Sequence, residues 1–209
     1  MAIELFDFPQ NSEEWYLARS GIATMSDADV YTMKGKGGGE SETRKKLLYR
    51  KAGEIITGKP AESYSNHHME RGHALEPEAR NLYAFMTDCD PTLIGFVRNG
   101  RRGASPDALI GNNGVLEIKT KMPERLIPVI EDEGFPSEHK AQTQGILMVA
   151  EREWIDLACY WPGFELVIRR AYRDEEYIAK LSEAIDKFND DLDALVERIR
   201  KHGQFRKAA

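Results

Sequence analysis

Ser105-Pro106-Asp107-Ala108-Leu109-Ile110-Gly111-Asn112-Asn113-Gly114-Val115-Leu116-Glu117-Ile118-Lys119 is the stretch on which the reading of this chain turns. Ala108 to Ile110 and Val115 to Lys119 are short apolar and β-branched runs, and Gly111 to Gly114 between them is a strong turn signal, which together spell a β-hairpin. Laid out straight, the chain from Asp107 to Glu117 would hold the two carboxylates about 33 Å apart at the ~3.3 Å rise of a strand. The turn folds them back. Centred between Asn112 and Asn113, it sets Asp107 roughly opposite Ile118 and brings Asp107 and Glu117 close on adjacent strands. Strand alternation places Glu117 and Lys119 on one face, with Leu116 and Ile118 on the other. Two acids and a lysine converge.

Neighbouring carboxylates repel and are costly to desolvate, so a buried pair of this kind calls for a cation. Oxygen ligands with no cysteine or histidine beside them suit Mg²⁺ or Mn²⁺ better than zinc. A divalent ion there binds a phosphate oxygen and acidifies a water, while Lys119 holds that water or steadies the transition-state charge, which is the logic of phosphodiester hydrolysis. The competing reading of the same residues is a surface hairpin with a weak Glu117–Lys119 pair.

Outward from the hairpin, Leu93 to Val97 reads as a further strand, followed downstream by Trp154 to Tyr160 and Phe164 to Arg170 across Trp161-Pro162-Gly163. A first helix starts at Asn11, with Glu14 completing a capping box, and runs through Trp15 to Arg19. A short one follows Met25, where Ser26 and Asp29 stand in the same relation. Ser41 to Ile56 carries Leu47, Leu48, Ala52, Ile55 and Ile56 at helical spacing, its bases mostly off that stripe. His68 to Met86 is a further helix with Pro77 inside it, and Glu124 to Asp132 and Ser137 to Ala150 follow the hairpin. The last helix presents Tyr177, Leu181, Ile185, Phe188, Leu192, Leu195 and Ile199 inward, leaving its acids outside. This order predicts an α/β sandwich, a mixed β-sheet flanked by helices, in one domain over residues 1–209.

The 209 residues, 41% hydrophobic and 31% charged, suit a single globular domain. Cys89 and Cys159 form no CxxC pair, which argues against a disulfide framework or zinc ribbon. No apolar run is long enough for a membrane span and the first residues carry an acid, so a cytoplasmic protein is expected. The net charge of -6 is segregated: Asp174 to Arg198 is strongly acidic and Lys34 to Lys59 basic. A basic surface therefore remains open to a nucleic acid. Gly35 to Gly39 is a basic glycine loop without the Gly-Lys-Ser/Thr ending of a P-loop, and His67, His68 and His73 lack the spacing of a zinc pair.

Pro106-Asp107 followed by Glu117-Ile118-Lys119 resembles the PD-(D/E)xK nuclease motif. Further motifs are similar to one branch of it, the phage λ exonuclease (YqaJ-like viral recombinase) family: Trp15-x3-Arg19-x-Gly21-x2-Thr24-x-Ser26, Gly72-x3-Glu76, Ser105-Pro106-Asp107 and Ala141-Gln142-x-Gln144, in the family's order from about Trp15 to Ala150. Ala108 and Met25 stand where the family more often has glycine and alanine.

The resemblance implies a restriction-endonuclease-like core and a metal-dependent 5′→3′ exonuclease. Such an enzyme degrades one strand of linear double-stranded DNA and leaves 3′ tails for recombination by strand annealing. Asp107, Glu117 and the Ile118 main-chain carbonyl would be metal ligands for Mg²⁺ or Mn²⁺, with Glu76 serving a second ion or a water. Lys119 would position or activate the nucleophilic water. Gln142 would orient it or Lys119, with Gln144 the lesser alternative, about 200° further round the helix. Arg19, Ser26 and Ser105 would hold the terminal 5′-phosphate, a role a guanidinium fork and two hydroxyls suit well. The resemblance also implies a homotrimeric ring and a single-strand annealing protein as partner. Taken alone, Trp15 reads as core, Arg19 as a helix-end charge and Ser26 as an N-cap. Two other functions compete: a structure- or sequence-specific endonuclease, which would cut closed circles, and a non-catalytic DNA-end-binding scaffold, which would have no chemical reason to keep Asp107, Glu117 and Lys119.

Overall fold

The computed structural model describes residues 2–61 and 67–207. In chain order the elements are β1 (Glu4–Phe6), α1 (Glu13–Arg19), β2 (Ala23–Thr24), α2 (Ala28–Thr32), α3 (Glu42–Thr57), α4 (His67–Thr87), β3 (Pro91–Thr92), β4 (Phe96–Asn99), β5 (Arg102–Ala104), β6 (Ala108–Ile110), β7 (Gly114–Thr120), α5 (Pro123–Glu131), α6 (Lys140–Ala150), β8 (Trp154–Tyr160), β9 (Val167–Tyr172) and α7 (Glu175–Lys207). The fold is α/β, with helices flanking mixed sheets, but the strands divide into two sheets where one was expected. The larger runs β3-β6-β7-β8-β9 and the smaller β1-β4-β5-β2. Strands as short as β1, β2 and β5 carry no alternation a sequence pattern can register; β4 recruits β1 and β5, and β5 in turn recruits β2.

β7 and β8 pair in parallel, so the chain must cross over between them, and α5 and α6 are that crossover. Alternation then sorts the two faces. Leu116 and Ile118 of β7, with Ala158 and Tyr160 of β8, pack under Ala79 and Tyr83 of α4. On the other face Leu157 and Cys159 meet Leu126 and Val129 of α5. Glu117 and Lys119 therefore point to the crossover side. A third cluster joins α2, α3, α6 and α7 around Tyr31, Leu48, Leu147 and Phe188.

The hairpin register is one residue tighter than expected. Ala108 pairs with Leu116 and Ile110 with Gly114, which puts Asp107 across from Glu117 rather than Ile118. Gly111, at φ 51°, opens a loop that is already closed at Gly114, so the centre is Asn112.

Other expectations are corrected locally. The cap of α1 is Ser12, whose hydroxyl accepts from the Trp15 N–H at 3.2 Å, while Asn11 takes a left-handed turn before it at φ 68°. Ser26 caps nothing: Met25–Asp27 is a 3-10 turn, and α2 begins after Asp27 without a side-chain cap. On α7, Ile178 and Val196 are buried and Ile199 is 46% exposed, because the helix runs on past the core. The basic and acidic runs meet, Arg44 of α3 pairing with Asp191 of α7 at 2.6 Å. Among the described residues, no helix is long and apolar enough to cross a membrane.

Candidate active site

The segment Ser105 to Asp107 joins the two sheets, and the Gln10 amide pins it by donating to the carbonyls of Pro106 at 3.0 Å and Ile94 at 3.3 Å. From there Asp107 and Glu117, facing each other across the mouth of the hairpin, border a cleft of about 230 Å³ that Lys119, Glu76, Gly72 and His73 complete. Asp107 Oδ2 accepts the Ile118 N–H at 2.5 Å. Glu117 is 3% exposed, and its Oε1 accepts from both Lys119 Nζ and Gln142 Nε2, each at 2.7 Å. Its Oε2 is buried without a hydrogen-bond partner. An unsatisfied buried carboxylate oxygen costs more than a neutral group would, where even a neutral one costs about 1–3 kcal/mol.

The electrostatics match that geometry. Burial, then the charge of Glu117, then that of Glu76 push the Asp107 carboxyl well above the usual carboxylate range, against the Ile118 N–H and Lys119. Burial works against the Lys119 ammonium, yet the Glu117 charge and hydrogen bond, with Asp107, outweigh it and raise its pKa. The lysine is held as a cation. A Glu117 oxygen without a partner beside a carboxyl disfavoured as an anion suits a further cation.

Glu76 stands on α4 at the cleft wall, but its Oε1 accepts from Arg80 at 2.9 Å and its Oε2 is 3.9 Å from His73 Nδ1. Turned to these partners, it does not close a cage: among the described residues no three His, Cys, Asp or Glu side chains form a ready metal cluster. The side chains of His67 and His68 lie outside the described residues. Gln144, two residues from Gln142, is 3% exposed and committed elsewhere, donating to the Tyr172 carbonyl at 2.9 Å and accepting the Asp174 N–H at 2.8 Å.

Arg19, Ser26 and Ser105 come together in a second constellation beside the first. Arg19 donates to Ser105 Oγ at 2.8 Å and to Ser26 Oγ at 3.1 Å, and its guanidinium lies 4.1 Å over the Trp15 ring. Among the described residues no carboxylate pairs with this guanidinium. Burial lowers its pKa to about 10, with Asp27 the chief opposing charge. A desolvated guanidinium flanked by two hydroxyls is built to receive an anion. Trp15 is not simply core: its Nε1–H is shared between Ser105 Oγ at 2.9 Å and the Gly95 carbonyl at 3.0 Å.

Sequence reasoning missed the residues behind these sites. Arg80 sits four residues after Glu76, a helical ion-pair spacing that carried the signal. Arg71, Lys121, Arg125 and His139 border a second cleft of about 440 Å³ that Lys119 also lines, and no motif marks them. The His139 ring is kept neutral, burial and then Lys121 and Lys119 lowering its pKa to about 4.

The family model for the YqaJ-like viral recombinase domain matches residues 14–153. The structure is similar to an alkaline exonuclease (LHK-Exo) from Laribacter hongkongensis at 27% identity and a TM-score of 0.83, covering 95% of this chain and 100% of that one. The same enzyme in complex with dAMP gives 28% identity and a TM-score of 0.84 at the same coverage. A phage-related exonuclease from Haemophilus somnus 129PT shares the fold at 14% identity and a TM-score of 0.65, covering 85% of this chain and 96% of that one. No curated protein matches the sequence significantly.

Proposed function

Since the chain belongs to the YqaJ-like viral recombinase domain family, we propose that it is a metal-dependent 5′→3′ exonuclease that degrades one strand of linear double-stranded DNA and leaves a 3′ single-stranded tail. The observation that carries this reading is the buried, unpartnered Oε2 of Glu117 facing Asp107 in a cleft beside an anion pocket. The likeness to the Laribacter hongkongensis alkaline exonuclease supports it.

The residues present fit a divalent ion. The donors are all oxygen, one of them has no other partner, and burial together with the charges of Glu117 and Glu76 disfavours the Asp107 carboxylate until a further cation is present. Asp107, Glu117 and the Ile118 carbonyl would hold one Mg²⁺ or Mn²⁺, and Glu76, released from Arg80, a second. When bound, the metal polarises the scissile phosphodiester and acidifies a water.

Around it the protein's own groups act. Lys119, whose ammonium Glu117 and Asp107 favour in the metal-free site, positions or activates the attacking water and stabilises the charge growing on the phosphate. Gln142 shares Glu117 Oε1 with Lys119 and fixes the direction of that carboxylate. Arg19, Ser26 and Ser105 bind the terminal 5′-phosphate, a dianion with more acceptor capacity than an internal linkage. The homotrimeric ring and the hand-over of the 3′ strand to a single-strand annealing protein rest on family membership.

Linear duplex with one 5′-phosphorylated and one 5′-hydroxyl end tests the reading, with Mg²⁺ or EDTA, on the wild type, Lys119→Ala and Arg19→Ala. Nucleotides are released from the phosphorylated end with Mg²⁺ only; Lys119→Ala abolishes release and Arg19→Ala erases the end preference. Cutting of closed circles would make the protein an endonuclease. No hydrolysis with Mg²⁺, or with Mn²⁺ in its place, would leave a DNA-end-binding scaffold.

A further inference from the structure

The anion pocket is assembled from two separate stretches, the end of α1 with Arg19 and the 3-10 turn with Ser26, and both are fastened to the same helix. Lys51 and Glu54 of α3 are 4% and 8% exposed, a buried ion pair with Nζ to Oε2 at 3.1 Å. Neither faces solvent or the cleft. Lys51 Nζ also donates to the Arg19 main-chain carbonyl at 3.3 Å, and Glu54 Oε2 accepts the Gly21 N–H at 2.7 Å. The pair thus grips the backbone on both sides of Ser20, directly behind the guanidinium. Gly21 makes the grip close: its φ is +70°, and a Cβ there would stand 2.6 Å from Ile55 Cγ1 of the same helix.

One residue earlier, Arg50 reaches the other wall. It donates to Asp27 Oδ2 at 2.9 Å, and Thr24 Oγ1 bonds both Asp27 Oδ2 and Ser26 Oγ at 3.2 Å. Tyr31 closes this wall by donating to the Thr24 carbonyl at 3.1 Å.

Stability does not account for the arrangement. Taking two charges out of water costs about what their attraction returns, and apolar residues of similar volume serve a core as well or better. What the charges supply is direction, since a carboxylate and an ammonium hold a backbone N–H and a carbonyl at fixed points where a leucine would not. We propose that Lys51 and Glu54 are positioning residues for the terminal-phosphate pocket, holding the Arg19 to Gly21 backbone so that the guanidinium meets the Ser26 and Ser105 hydroxyls. The selectivity of the enzyme for a phosphorylated end is then set from within α3. This inference rests on the phosphate pocket proposed above.

The test compares 5′-phosphorylated and 5′-hydroxyl duplex ends under Mg²⁺ for Glu54→Gln, Lys51→Met and the double variant Lys51→Met/Glu54→Leu, with thermal melting of each. Placement errors of this kind in a binding group cost about 10-fold or more. The ratio of rates on phosphorylated over hydroxyl ends falls about 10-fold in Lys51→Met and in the double variant, carried by KM rather than kcat, while Glu54→Gln, which keeps an acceptor for Gly21, stays closer to the wild type. The double variant melts at or near the wild-type temperature, which a purely structural pair lost from the core shares but the selectivity loss does not. A well-folded double variant with wild-type end preference overturns the inference. If the double variant does not fold, Lys51→Met, which releases the Arg19 carbonyl, decides alone, and unchanged preference there overturns it equally. Arg19→Ala runs alongside: retained preference in that variant removes the pocket itself, whereas lost preference in Arg19→Ala with full preference in the pair variants removes only the role of α3.

Discussion

Removing the Lys119 ammonium from the metal-free protein strands a carboxylate that is 4% exposed, and the penalty is measurable as lost stability. Breaking a buried ion pair from one side costs about 3–5 kcal/mol, because the remaining charge is left without compensation. Here Lys119 is itself 28% exposed and Gln142 still donates to Glu117 Oε1 at 2.7 Å. Both reduce the loss, to about 2–3 kcal/mol. In a chain of this length each kcal/mol moves the melting temperature by about 2–4 °C, so Lys119→Met in EDTA should melt roughly 5–10 °C below the wild type. The double variant Glu117→Gln/Lys119→Met removes both charges and leaves an amide beside Gln142. Its deficit should stay within about 1 kcal/mol, or roughly 3 °C. Thermal denaturation followed by circular dichroism reads all three proteins, and excess Mg²⁺ should restore more of the single variant's loss than of the double's. An unchanged melting temperature in Lys119→Met, or a double variant that falls as far as the single, would refute the argument that Glu117 depends on a cation.

Asp107 predicts a pH dependence in EDTA. Its folded pKa lies above its unfolded value, so its contribution is complete below about pH 4 and is lost as pH rises through the folded pKa. Asp107→Asn should therefore gain on the wild type in denaturant melts as pH goes from 4 to 8, and a gap that does not widen removes the account of Asp107 as a carboxyl raised by burial beside Glu117 and Glu76. Gln142→Leu takes away one of the two donors to Glu117 Oε1 and should cut kcat by about 10–100-fold with little change in KM, measured on linear duplex. A KM effect alone would mean Gln142 touches DNA instead. Gly21→Ala must adopt φ +70° and press on Ile55, so it should lower the melting temperature and the preference for phosphorylated ends together. Retention of both would show that the loop has room to yield.

The hairpin was readable because alternation and a glycine-asparagine turn are local signals. Its register was not, because one left-handed glycine decides where the turn closes, and that shifted the partner of Asp107 from Ile118 to Glu117. The division into two sheets is invisible in strands of two or three residues, whose pairing is settled by what lies beside them. Buried charges were the harder loss. Lys51 and Glu54 sit among the bases and acids of an amphipathic helix and look like a solvated face until the turn after α1 is seen packed on them. Ser26 shows the same limit: a serine before an acid has the pattern of an N-cap, and only the fold reveals that its hydroxyl is taken by Arg19.

Ser105 and Asp107 explain why the two sites belong to one machine. They are two positions apart on the strip of chain that leaves the smaller sheet at Ala104 and enters the larger at Ala108. Extended chain of that length spans about 7 Å. Each end is fixed, Ser105 by Arg19 and Trp15, Asp107 by the Ile118 N–H, with the intervening carbonyl tied to Gln10. The anion pocket and the carboxylate pair cannot drift relative to each other. On the proposed reading, the interval between a bound end and the bond to be cut is then built into the backbone rather than set by a flexible loop. An endonuclease has no use for such a fixed interval, since its substrate offers no terminal phosphate to anchor. The separation of Ser105 from Asp107 thus argues for attack from an end more strongly than the carboxylates do, because the carboxylates alone would serve any phosphodiester.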